Sequence, residues 1–523
     1  MKNIFYKVSF LLSALIITIS CNNEELAELN IDKNSVSELD MSYLFTRGTL
    51  RIGNEYDNTR ALSIYAAPMI QHIASVAGYF SGDKYFYSAQ YSGAFMNIQY
   101  EYTVKLLSQV IANSDDHPNL NAAATILRAF DLHRMTDLYG DIPYTQAGYA
   151  LQDAANWFPV YENQKDVYAA IIADVKAARD KLSATAKGLG VQDIIYGGDI
   201  TKWKKFANAL LMRVAMRMSN VDQATASAVF TEAYNSGTFS SNDDNATIKY
   251  LSGPNGINRN GLNDGLWGTY KYSRDCKISA TFIDWMKANN DPRLMIVSGG
   301  VGDPDNPATW NTNPEDQIGM PNGFTGVTMV GADSPLSDAE KASFGVNSVR
   351  MFSMLNLKAL DWDDPYLLIT YSETELMAAE AILKGWVNGS ASDKFASGVK
   401  GAINSWTAFD SSFAKSTVEI DAYISGRGFD AASNSDKLRL IGEEYWAATY
   451  LNDIESWSNW RRTGFPALTP TKDSNRYQGI NIIPRRLKYF ESEISRNPEN
   501  YQSAVNRMGG DEFDTKVWWD GGN

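Results

Sequence analysis

Cysteine and histidine are nearly absent from this 523-residue chain, which has two of the first and three of the second. No cysteine pair stands at metal-ligand spacing, and His72, His117 and His133 form no His-Glu-x-x-His zinc motif. The chain also lacks a Gly-x-Ser-x-Gly elbow and a Gly-x-x-x-x-Gly-Lys loop, so the common serine-hydrolase and phosphate-cradling signatures are missing. Cationic charge is in short supply: 47 Lys and Arg face 61 Asp and Glu, for a net charge of −14. An acidic surface argues against nucleic acid and against adhesion to anionic headgroups, both of which need clustered cations. Low-complexity runs are absent, and beyond residue 20 no stretch approaches the ~20 apolar residues of a spanning helix.

One apolar run is present, at the start. Lys2 and Lys7 precede Val8 to Ile19 (VSFLLSALIITI), which carries no charge. As a helix it rises ~18 Å, short of the ~30 Å hydrocarbon core, so a removed secretory signal over residues 1–20 is expected. Small Ser20 precedes Cys21, and the polar, acidic CNNEELAELN follows. That is the layout of a bacterial lipoprotein processing site, so lipidation of Cys21 is expected; the competing reading is a plain signal with an incidental cysteine. Several acyl chains on one residue hold a membrane where a single chain binds only marginally. Loss of the two lysines takes the net charge to −16, and with Cys21 lipidated only Cys276 remains, so no internal disulfide forms. Residues 21–40 then form a tether. Residues 41–523 form one body, because no Pro/Gly-rich linker divides them and tryptophans occur from Trp157 to Trp519.

Helical periodicity dominates that body and makes the fold class mainly α. Helices are expected at Ala122 to Tyr139, Lys165 to Leu182, Thr201 to Met218, Ser279 to Lys287, Tyr366 to Lys384, Lys394 to Phe409 and Ser435 to Leu451. Asp166 and Asp199 stand near helix starts, where a carboxylate satisfies free N–H groups; Gly140 and Gly385 lie just past helix ends. Several helices fall into pairs, which points to a tetratricopeptide-like scaffold without a strict 34-residue register. Between about Gly237 and Met354 the pattern gives way to Gly, Asn, Asp, Pro and aromatic residues, a large irregular insertion.

Chemistry is sparse. His133 and Asp137 are four apart on a helix, a spacing that suits either a metal or a packed histidine beside a carboxylate. Asp361, Asp363 and Asp364 (DWDDP) and Asp303 and Asp305 (GDPDNP) are acidic clusters without the EF-hand pattern; solvated turns are the expected reading. Aromatic residues in polar loops stand out instead: Tyr79, Phe80, Tyr85, Phe86, Tyr87 and Tyr91, then Trp267, Tyr270 and Tyr272, with Trp310 and Trp362 in further loops. A ring covers the apolar C–H face of a sugar while amides and carboxylates read its hydroxyls. The same set suits peptides, and large aromatics also dominate cores.

Together these segments resemble SusD/RagB-type outer-membrane lipoproteins. The likeness runs through NIDKNSVSELDMSYLFTRG, Ile126 to Ala147 (ILRAFDLHRMTDLYGDIPYTQA), Gly197 to Met218, Lys277 to Leu294 and Tyr371 to Trp386. It closes with Ser456 to Leu468 (SWSNWRRTGFPAL) and Pro484 to Asp520. The resemblance implies a tetratricopeptide-like helical body on the outer face of the outer membrane, with Asn22-Asn23-Glu24-Glu25 as the surface-export signal. It implies a TonB-dependent SusC-like barrel as partner, over which the lipoprotein is a hinged lid. It implies a non-catalytic role without cofactor, with an oligosaccharide as cargo and an oligopeptide as the alternative. A surface glycoside hydrolase and a purely structural lid are the rival readings. In the family the loop after the early helices contributes to binding, here Tyr79 to Asn97. The candidate ligand-binding residues are therefore Tyr79, Phe80, Tyr85, Tyr87, Tyr91, Asn97, Trp267, Tyr270 and Trp310.

Overall fold

Pro118–Tyr139 is the longest helix among the described residues. It begins before the predicted Ala122 because Pro118 occupies the first turn, where a missing N–H costs nothing, and His117 accepts the Leu120 N–H at 3.3 Å. Nearly every residue of it is buried, so it runs through the interior and shows no single apolar stripe. This is a computed structural model, and it describes residues 40–54, 59–473 and 475–523. The predicted signal, Cys21 and the tether up to residue 39 lie outside the described residues.

The mainly α reading holds. Gln164–Lys181, Ile200–Arg217, Ala280–Ala288, Ala391–Ser405 and Asn434–Ala448 match predicted helices within a few residues. Asp199 is a true N-cap, accepting from Thr201 and Lys202, whereas the cap before Asp166 is Asn163. Gly140 and Gly385 take positive φ of 84° and 74°, which glycine adopts without a Cβ clash, just past the ends of their helices. One prediction is corrected: Tyr366–Ile369 is a strand, and the helix starts at Tyr371. Thr370 and Glu373 form a reciprocal capping box there, which breaks the continuous helix expected from the apolar spacing.

Consecutive helices pack as pairs: Pro118–Tyr139 with Gln164–Lys181, Ile200–Arg217 with Gln223–Asn235, and Tyr371–Leu383 with Ala391–Ser405. Asn434–Ala448 and Asp453–Thr463 add a further pair. One hydrophobic cluster extends from Phe45 to Trp519. At its centre the helices are joined by charge. Arg213 meets Glu373 at 2.5 Å, Arg217 meets Glu455 at 2.6 Å and Asp137 at 3.1 Å, and all are buried. Because each ion of such a network is desolvated, the pairing largely offsets the cost of burying the charges and adds little net stability.

The irregular region is anchored by three antiparallel two-stranded ladders. Strand β1 (Ile73–Ser75) pairs with β3 (Cys276–Ile278), β2 (Ala246–Ile248) with β6 (Tyr366–Ile369), and β4 (Ser298–Val301) with β5 (Ser353–Leu355). Ala74, Met320, Met329, Leu336, Phe344 and Phe352 form a small second core beneath it.

Candidate functional site

The β1–β3 ladder sets Ser75 opposite Cys276 and so lays the loop after β1 against the loop before β3. The Ser75 hydroxyl donates to the Asp275 carbonyl at 2.6 Å, and the Tyr79 hydroxyl donates to Asp275 Oδ2 at 2.5 Å. Tyr79 thereby stands 5.6 Å, ring centre to ring centre, from Tyr272, which stands 6.1 Å from Tyr270 at an interplanar angle of 29°. Tyr270 is 46% exposed, and Tyr79, Tyr272 and Trp267 are half-buried. The result is a ridge of aromatic faces at the surface, with Lys271 Nζ 5.9 Å from the centre of the Trp267 ring.

Two buried lysines brace this ridge from below. Lys277 Nζ donates to the carbonyls of Ser273, Arg274 and Cys276, which folds the turn carrying Tyr272. Burial pulls its ammonium down to about 8. Lys84 Nζ donates to the Ser75 carbonyl at 2.5 Å and pairs with Asp83, whose carboxylate in turn holds Asn322 and the Gly323 N–H.

Trp362 lies beside the ridge. A Cβ on Gly268 would come within 2.1 Å of Trp362 Nε1, so only glycine lets the two loops meet. Arg259 sits 3.5 Å from the centre of the Trp362 ring. The DWDD turn is pinned by Asn263, which donates to the Asp361 carbonyl and to Asp364 Oδ2. Asp364 is pushed up to about 7, chiefly by burial, with the carboxylates of Asp361 and Asp363 acting in the same direction.

The remaining predicted residues separate. Phe80 and Tyr85 are core residues, 0% and 2% exposed; Phe80 backs Tyr272 at 6.1 Å and the Tyr85 hydroxyl accepts the Thr471 N–H. Trp310 is also buried, its indole N–H donating to the Asp303 carbonyl at 2.7 Å. Gly299 and Gly302 clear room for that ring, since a Cβ on each would fall 2.8 Å from it, and a Cβ on Gly300 would fall 2.9 Å from Trp310 Cβ and from the Asn311 carbonyl oxygen. These three expectations are corrected: a tryptophan in a Gly- and Asp-rich loop reads as exposed, and the glycines are there to bury it. Tyr87 belongs to a different surface cluster, 5.3 Å from Tyr477 and under Lys488, and Tyr91 lies below Arg60.

Asn97 lines a separate groove of about 880 Å³, between residues 143–161 and the segment from Phe490 to Asn497. Trp157 and Phe158 stand at this groove, and the sequence reading missed it because that loop carries no dense aromatic run. The other chemical candidates are structural. His133 is buried beside Asp137, whose carboxylate accepts the Tyr168 hydroxyl at 2.5 Å and pairs with Arg217. Asp303 and Asp305 pair with Arg350 and Arg274. Among the described residues no group of three or more His, Cys, Asp or Glu side chains is placed to hold a metal, and no helix is long and apolar enough to cross a membrane.

The architecture matches solved structures. A chitin-binding protein superposes with a TM-score of 0.78 at 30% identity, covering 92% of this chain and all of that one. A SusD-like protein, Bacteroidetes AC2a, superposes at 0.79 with 24% identity, covering 92% of this chain and 100% of that one. A SusD homolog from Bacteroides uniformis superposes at 0.73 with 24% identity, covering 92% and 99%. No curated protein sequence matches the chain. The SusD-like model described as "Starch-binding associating with outer membrane" matches residues 33–490, and the chain belongs to that family.

Proposed function

We propose that this chain captures oligosaccharides of the chitin class, β-linked N-acetylated amino sugars, at the outer-membrane surface. The observation that carries this reading is the ridge of Tyr79, Tyr272 and Tyr270, with successive ring centres 5.6 and 6.1 Å apart. Each ring offers an apolar face to the C–H side of a pyranose, and the step from ring to ring is of the size of one sugar unit in an extended chain. Asp275, oriented by Tyr79, and Asp264, which accepts the Thr269 hydroxyl at 2.8 Å, supply acceptors for hydroxyl and amide N–H groups at the edge. The similarity to a chitin-binding protein at 30% identity supports the amino-sugar class.

Capture of this kind needs no covalent step, and the sugar leaves intact. Lipid on Cys21 would hold the chain to the membrane, and a SusC-like TonB-dependent barrel would take the cargo from it for import. Isothermal calorimetry with N-acetyl-chitooligosaccharides, malto-oligosaccharides and a mixed oligopeptide pool tests the reading. The chitooligosaccharides are expected to bind and to be recovered uncleaved by chromatography. Binding of peptides with no response to any glycan would overturn it, and shortened products would reveal a hydrolase.

A further inference from the structure

Ile142 and Glu162 exchange backbone hydrogen bonds of 3.3 and 3.0 Å, closing the loop of residues 143–161 beyond the Pro118–Tyr139 helix. The loop is held firmly on both sides. From within, buried Arg128 donates to the carbonyls of Tyr144 and Ala147, the latter at 3.0 Å. From the far side, Asn497 donates to the Pro159 carbonyl at 2.8 Å and Asn500 to the Phe158 carbonyl at 3.0 Å. A loop fixed this well still turns its largest side chains outward: Trp157 is 65% exposed and Phe158 is 62% exposed. The indole is oriented as well, its N–H donating to the Ala150 carbonyl at 3.2 Å.

Rings of this size normally supply ~150–250 Å² of burial each, so a pair held in water by an ordered backbone marks a binding surface. They border the groove of about 880 Å³, within the range of ~300–1,000 Å³ common for ligand sites. Beside the rings the lining mixes apolar residues such as Met96, Pro143 and Phe490 with polar groups of both signs: Asn97, Asn156, Glu101 and Arg496. An apolar ligand would leave those groups unpaired, and a simple ion would not use the rings. A sugar uses both, its C–H face on the ring and its hydroxyl and acetamido groups on the amides and charges.

We propose that this groove is a second glycan site, with Trp157 as its stacking face. None of the ridge residues lines it, so it is distinct from the site assigned above. The inference rests on the reading of amino-sugar oligosaccharides as cargo. Two sites on one chain would hold a polymer more tightly than either alone, because the second contact forms within an already bound complex.

The test uses the full soluble body and N,N′,N″-triacetylchitotriose, a ligand short enough to fill one site, read by native mass spectrometry and calorimetry. Wild type is expected to bind two molecules per chain and Trp157→Ala one, with the groove affinity falling roughly tenfold or more. Trp157→Phe, which keeps a ring, should retain the second molecule, and Tyr270→Ala should lose only the ridge site. Trp157 is exposed, so these variants fold, which circular dichroism verifies. Wild type binding a single molecule, lost in Tyr270→Ala and unchanged in Trp157→Ala, overturns the groove and leaves the cargo reading standing. No binding at either site overturns both. If Trp157→Ala keeps both sugars but loses co-purification with the barrel, the face is a protein interface and the proposal fails.

Discussion

Tyr79 and Asp275, far apart in the chain, share a hydrogen bond of 2.5 Å at the protein surface. It joins a loop that follows an early strand to a loop in the irregular region, and the β1–β3 ladder behind it sets their register. The ridge is thus a product of strand pairing: Tyr270 and Tyr272 share one loop, 6.1 Å apart, and the ladder brings Tyr79 from the other loop to 5.6 Å from Tyr272.

Removing ring area and removing the tie should have different effects. Tyr270→Ala takes away the most exposed face and is expected to weaken chitooligosaccharide binding roughly tenfold. Tyr79→Phe keeps the face but releases Asp275, and a smaller loss is expected. Calorimetry on both variants checks this; unchanged affinity in Tyr270→Ala would remove the ridge from the binding reaction.

Gly82 tests how far the ridge depends on its support. A Cβ there would sit 2.3 Å from the Tyr65 carbonyl oxygen and 2.6 Å from Tyr65 Cα, both backbone atoms that cannot rotate aside. Gly82→Ala should therefore displace the neighbouring Asp83–Lys84 pair and cost about 1–3 kcal/mol in urea unfolding. Gly78, on the same loop, has nothing within 4 Å of its Cβ position. Gly78→Ala should change stability by less than about 0.5 kcal/mol. Equal melting of the two variants would contradict the packing described.

Helices were legible in the sequence where a cap or a periodic face marked them, as at Asp199 and at Ser279, which caps Ala280–Ala288. Those that went unread, such as Met41–Asn54, Thr417–Gly426 and Asp453–Thr463, are short or amphipathic over few turns, and tertiary contact stabilises them. The aromatic clusters were visible as composition, but their sorting was not. Phe80, Tyr85 and Trp310 resemble Tyr79 and Tyr270 in local sequence and differ only in which side of a loop they take, a choice made by partners such as Thr471 and Gly299. The groove at Trp157 depends on Asn497 and Asn500, from the other end of the chain, and no local pattern could reveal it.

The lipid reading of Cys21 makes its own prediction. Among the described residues the buried hydrophobic core starts at Phe45, and Cys21→Ala, which removes only the expected lipid site, should leave urea unfolding of the body unchanged. The same change should move the protein from the membrane pellet to the soluble fraction. Retention in the pellet after extraction that strips away any proposed barrel partner would show that something other than lipid holds it.

His133 gives a pH dependence whose direction is fixed by its burial. The ring is enclosed among Asp137, Tyr168, Arg217 and Glu455, and burial above all pulls its pKa from 6.5 to about 4. Between those values the unfolded chain takes up a proton that the folded chain refuses. Stability is therefore complete above pH 6.5 and declines as pH falls toward 4, by about 3 kcal/mol for this group. Glu455, held below its ordinary value by Arg217 and Arg213 against the opposing effect of burial, adds a further loss at lower pH. His133→Gln removes the first contribution, so its urea midpoint should vary less than that of wild type between pH 7 and pH 4.5. Parallel pH profiles for the two proteins would show that His133 is not the titrating group.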